Sequence, residues 1–150
     1  MSDTWRWLQG ELEELNVGAA LILCADHLDK SSIDQARKLA EDKAVRLEIA
    51  DAIDHPSYPI VSKAPGYPLL TALELATWAR ERKQKLLINC WMGVNRAAAI
   101  SAAVMMEVEK LTLVQTAEIL AAKRGRLAWT ASLGVRKAYS KAQVLHARQR

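Results

Sequence analysis

Residues 86–101, LLINCWMGVNRAAAIS, decide how this chain folds. Leu86, Leu87 and Ile88 form a short apolar run that reads as a buried strand over residues 85–90. Gly93 lies in the turn that follows, where it permits backbone angles that a residue with a Cβ resists. Arg96 then opens an alanine-rich segment that predicts a helix over 96–110. In such a strand–turn–helix unit the backbone N–H groups of Trp91, Met92, Gly93, Val94, Asn95 and Arg96 converge on one point. The positive end of the helix dipole lies behind them. Cys90 and Arg96 thus bracket an anion site with a nucleophile at its base.

Working outward, residues 19–25 (AALILCA) read as another buried strand. A helix over 31–43 follows, capped by Ser31 or Ser32, with Ile33, Ala36, Leu39 and Ala40 at helical spacing. Val45, Leu47 and Ile49 alternate with Arg46 and Glu48, so a further strand ends near Asp51. All four prolines fall between Asp51 and Pro68, which predicts a long ordered loop. Helical periodicity returns over 69–83, 112–123 and 130–148, and residues 5–15 read as a short acidic helix or lead-in. The pattern predicts one α/β domain over 1–150. It has a small parallel central sheet flanked by helices and an all-helical C-terminal part.

Composition narrows the function classes. With 51% hydrophobic and 25% charged residues, the 150-residue chain has the balance of a globular domain large enough to need no staple. Two cysteines, Cys24 and Cys90, exclude a disulfide-rich scaffold and a four-cysteine zinc site. His27, His55 and His146 are too scattered to form a ligand pair at helical spacing. No apolar run approaches the ~20 residues of a membrane span, and the first residues lack a signal-peptide pattern. The expectation is a soluble protein of a reducing compartment, cytoplasmic by default and nuclear as the alternative. The net charge of +4 favours anionic ligands. The C-terminal basic residues Arg136, Lys137, Lys141, Arg148 and Arg150 read as a solvated helix face. Apart from Tyr139 no stacking aromatics interleave with them, so nucleic acid is not the expected partner.

The chemistry follows from the bracketed loop. An arginine fork takes two phosphoryl oxygens at once, which lysine cannot do. The field that holds a dianion also favours a thiolate, the nucleophilic form of cysteine. Thiolate attack on phosphorus gives a phosphocysteine intermediate. Cys90 to Arg96 resembles the Cys-x5-Arg signature of the protein tyrosine phosphatases, most closely the small dual-specificity branch. The resemblance covers about residues 45–150. It implies hydrolysis of phosphorylated proteins or other phosphomonoesters, without metal or cofactor. It also implies a general-acid aspartate on the loop after the preceding strand, which Asp51 or Asp54 would supply, Asp51 ranking first. His55 is a chemically possible donor that the resemblance does not support.

Departures from the family pattern bear on rate. Asn89 stands where a histidine is common, and Ala97 where a serine or threonine hydroxyl assists thiolate departure. The region of Trp129, Thr130 and Ala131 lacks the polar residue, often asparagine, that supports the loop. Together these imply slow turnover, with breakdown of the intermediate affected most. They keep open a catalytically silent module that binds phosphorylated partners. A weaker third reading, sulfur transfer of rhodanese type, needs neither the Arg96 clamp nor an upstream acid. Cys24 reads as a buried core cysteine, the alternative being a protective disulfide with Cys90 of the kind some related phosphatases form.

Overall fold

The structure is a computed structural model that describes residues 15–25, 28–53, 55, 57–90 and 96–124. Three parallel strands, β1 (Val17–Ile22), β2 (Arg46–Ile49) and β3 (Lys85–Asn89), pair in the order β2-β1-β3. Four helices are described: α1 (Lys30–Asp42), α2 (Pro68–Glu81), α3 (Arg96–Val108) and α4 (Leu113–Arg124). The expected helices over 5–15 and 130–148 lie outside the described residues, apart from Leu15.

Alternation along the strands sorts the core into two layers. Ala19, Leu21 and Leu23 pack with Leu86, Ile88 and Cys90 against α2 and α3, through Leu69, Ala72, Leu75 and Ile100. Ile22 and Cys24 face the other way, with Leu47, Ile49, Leu87 and Ala36 of α1. The central strand β1 is buried along its whole length, as expected of a parallel strand covered on both faces. It starts two residues earlier than the apolar run suggests, because Gly18 forms a bulge. Val17 pairs with Lys85 and Ala19 with Leu86, leaving Gly18 the extra residue. A Cβ on Gly18 would lie 2.7 Å from Cβ of Gln84, so only glycine fits that approach. The bulge also turns Val17 onto the α1 face, against Ala40 and Val45.

Local chemistry sets the helix ends. Asp29, not Ser31 or Ser32, caps α1: its carboxylate accepts the Ser32 N–H at 2.7 Å. That bond holds the Asp29 carboxyl below the usual range. A serine cap was expected two or three residues too late, because an aspartate in extended backbone satisfies the first-turn donors equally well. Both α1 and α2 end in Schellman motifs, with Ala44 and Lys83 in the left-handed region at φ 54° and 55°. Pro68 starts α2 at a position where its missing N–H has no helical partner. Thr112 and Gln115 exchange side-chain-to-backbone bonds at 3.1 and 2.9 Å, a capping box that opens α4.

The topology positions the site. The chain leaves β1 toward α1 on one face and leaves β3 toward α3 on the other. Adjacent parallel strands whose connections diverge open a crevice at their C-terminal ends. Cys90, at the end of β3, and Leu23, at the end of β1, lie at that crevice.

Candidate functional site

The buried end of β3 carries Cys90, which is 5% exposed. Its Sγ accepts the backbone N–H of Ala97 at 3.3 Å, in the first turn of α3. An N–H with no intrahelical partner is therefore aimed at the sulfur, where helix geometry favours negative charge. The first two turns of α3 are buried except at Ser101, with Ala97, Ala98, Ala99, Ile100, Ala102 and Ala103 each at most 2% exposed. Small side chains let α3 press close to the sheet and to α2, which sets the separation between the sulfur and the helix start.

Arg96 is buried to 3% exposure, unusual for the residue type. Its Nη1 donates to the Leu23 carbonyl at 3.0 Å and to the Ala52 carbonyl at 2.8 Å. One guanidinium nitrogen thereby joins the ends of β1 and the loop after β2 to the start of α3. A cation near a helix N-terminus and out of water is costly unless polar groups surround it, and these two carbonyls supply part of that surround.

The loop after β2 begins under tight control. Ala50 N–H donates to the Ile22 carbonyl at 2.9 Å, and Asp51 bridges antiparallel to Cys24. Ala52 is buried at 1% exposure, and its carbonyl is the one Arg96 holds. The Asp51 side chain is exposed. Asp51 thus stands one residue from a carbonyl bonded to Arg96, at the rim of the crevice. Asp54 lies outside the described residues, as do Trp91, Met92, Gly93, Val94 and Asn95 of the expected cradle. His55 pairs with Ser57 across 2.7 Å in an exposed turn.

Asn89 and Cys24 meet on the α1 side of the sheet, where Cys24 Sγ lies 3.8 Å from Asn89 Oδ1. Cys90 belongs to the opposite layer with α2 and α3. The two thiols are therefore not joined and face opposite sides of the sheet, which does not suit a Cys24–Cys90 disulfide. The chain signal for this was strand alternation: residues 89 and 90 must point apart. Two contacts had no sequence signal, namely the Arg96 bonds to carbonyls 73 and 44 residues away. Among the described residues no cluster of His, Cys, Asp or Glu is placed to hold a metal ion. No described helix is long and apolar enough to cross a membrane.

No family model matches the sequence, and no curated protein does. Solved structures do. The crystal structure of Tk-PTP in the active form shares 23% identity with a TM-score of 0.64, covering 89% of this chain and 86% of that one. Human DUSP28 shares 14% identity at a TM-score of 0.64, with 90% and 82% covered. A mouse putative dual specificity phosphatase complexed with zinc tungstate shares 13% at a TM-score of 0.65, with 93% and 79% covered. The fold is that of the dual-specificity and tyrosine phosphatases. At these identities the likeness concerns the phosphatase fold itself, with its small parallel sheet and helical flanks. The human tyrosine phosphatase-like serine/threonine/tyrosine-interacting protein has it too, at 13% identity and a TM-score of 0.64, over 91% of this chain and 82% of that one.

Proposed function

We propose that the chain is a phosphomonoester hydrolase of dual-specificity type, acting on phosphorylated proteins through a phosphocysteine at Cys90. The observation that carries this reading is the convergence of the Cys90 sulfur, the Ala97 N–H and the buried Arg96 guanidinium at the crevice between β1 and β3. The phosphatase fold of the structural neighbours supports it.

In this reading the Cys90 thiolate attacks phosphorus in line with the leaving oxygen. The Arg96 guanidinium, anchored through Nη1 on the carbonyls of Leu23 and Ala52, supplies the fixed positive charge beside the phosphoryl oxygens. The backbone amides of Trp91, Met92, Gly93, Val94, Asn95 and Arg96 complete the cradle. Asp51 or Asp54 gives a proton to the leaving oxygen, and the same carboxylate then takes one from the water that cleaves the S–P bond. Phosphoryl transfer leaves little covalent work beyond this, so positioning and fixed positive charge supply most of the rate.

Turnover of p-nitrophenyl phosphate by the wild type and Cys90→Ser, between pH 5 and 8, tests the proposal. The wild type should hydrolyse the ester, and the variant should lose activity by a factor on the order of 10³ or more. Ala97, which offers no hydroxyl to the sulfur, favours one second reading: a silent module that binds phosphorylated partners. Absence of turnover in both proteins, with phosphopeptide binding retained, would support that reading instead.

A further inference from the structure

The long loop after β2 is closed on itself by a side chain that the proposed chemistry has not used. The Tyr58 hydroxyl donates to the Asp51 carbonyl at 3.2 Å, joining residues seven apart. The ring of Tyr58 lies 5.6 Å from that of Tyr67, the residue that caps α2, at a tilt of 52°. Tyr58 is half-buried against the core layer of α2 and α3. Just beyond it Ile60 enters the same layer, and Lys63 reaches Glu107 of α3 at 2.7 Å. The far side of the loop is therefore tied to the helices, and the Tyr58 hydroxyl brings that fixed side back to Asp51.

The near side is held one residue further on, where Arg96 Nη1 bonds the Ala52 carbonyl. Consecutive carbonyls, those of Asp51 and Ala52, thus accept from two different side chains. Burial, then neighbouring Tyr67 and Asp51, pushes the Tyr58 hydroxyl above its ordinary range, so it remains a proton-bearing donor throughout the working pH. Asp51, the first-ranked candidate acid, is the residue whose backbone this bond holds.

We propose that Tyr58 is a positioning residue for the acid-bearing loop. Its hydroxyl latches the Asp51 backbone and thereby fixes the Asp51 carboxyl, the first-ranked proton donor to the leaving oxygen. The inference rests on the phosphatase reading above and deepens it. A loop without the latch keeps the phosphate site, because Arg96 and Cys90 belong to other elements, and its start stays held by the Cys24 bridge and the Ala52 carbonyl. It loses the alignment of the acid, and a displacement of about 1 Å can lower a rate on the order of 10²-fold. The loss should depend on the leaving group. p-Nitrophenolate is a stabilised anion that departs without a proton, whereas phenolate, with a pKa of about 10 as in tyrosine, needs one.

The experiment compares kcat/KM for phenyl phosphate and p-nitrophenyl phosphate in the wild type, Tyr58→Phe and Cys90→Ser. This parameter reports formation of the phosphoenzyme, so slow later breakdown does not mask the effect. Tyr58→Phe keeps the ring against Tyr67 and removes only the latch. It should lose about tenfold or more on phenyl phosphate and less than about twofold on p-nitrophenyl phosphate. The ratio of the two is read on active molecules alone, so partial misfolding cannot imitate the result. Equal losses on both esters, with turnover that still needs Cys90, would overturn the latch and leave the phosphatase reading intact. Turnover that survives Cys90→Ser, or a wild type inert to both esters, would overturn the reading and the latch together.

Discussion

In the proposed reaction, two residues at the start of α3 have opposite consequences for rate. Arg96 brings a buried guanidinium to the crevice and ties it to Leu23 and Ala52. Ala97 brings a backbone N–H to the Cys90 sulfur but no hydroxyl. When a phosphocysteine breaks down the sulfur leaves as a thiolate, and a hydrogen bond to a charged group is worth about 1.5–3 kcal/mol. Ala97→Ser should therefore raise the steady-state rate on p-nitrophenyl phosphate by roughly tenfold, with the initial burst of product becoming less distinct. Pre-steady-state absorbance measurements on the two proteins check this, and an unchanged or lower rate would mean that breakdown is not the slow step. That Ala97 stands near the Cys90 sulfur followed from the resemblance, in which the residue after the arginine assists thiolate departure, and its N–H lies 3.3 Å from that sulfur. The Arg96 bonds were not legible in the sequence, since they depend on where the ends of β1 and β2 come to rest.

At the scale of elements, the strands and helices follow from periodicity, and the ends follow from capping chemistry. α2, α3 and α4 begin within a residue or two of the first periodic residue, because Pro68, Arg96 and the Thr112–Gln115 pair mark their starts. β1 was harder to bound: its first residues sit on a bulge whose glycine is chosen by Gln84 on a segment 66 residues away in sequence. The Schellman ends of α1 and α2 show a local conflict that packing overrides. Ala44 and Lys83 occupy left-handed backbone, a region that costs a non-glycine residue roughly 1–2 kcal/mol. Glycine removes that strain but gives back roughly 0.5–1 kcal/mol of unfolded-chain entropy. The pair Ala44→Gly and Lys83→Gly should together add about 1 kcal/mol, raising the midpoint of thermal unfolding by about 2–4 °C. Calorimetry checks it, and a lowered midpoint would contradict the capping account.

Across the whole molecule the order β2-β1-β3 explains why the candidate site lies where it does. Moving from β1 to β2 and then back past β1 to β3 sends the helices to opposite faces, as right-handed crossovers require. The crevice opens at the C-terminal ends of β1 and β3, and the loop after β2 bends over it through Asp51 and Ala52. The small parallel sheet with helices on both faces was readable from strands alternating with helices. Whether Asp51 or Asp54 would be the proposed acid was not, because that depends on the path of a proline-rich loop rather than on any periodic signal. The central claim is that Cys90 forms a covalent bond to phosphorus. Its most direct test is to mix the protein with p-nitrophenyl phosphate, denature it within the burst, and locate any phosphoryl group by peptide mass spectrometry. The account predicts one phosphoryl group on Cys90, absent in Cys90→Ser, whereas turnover with no phosphoryl group on Cys90 at any pH would contradict it.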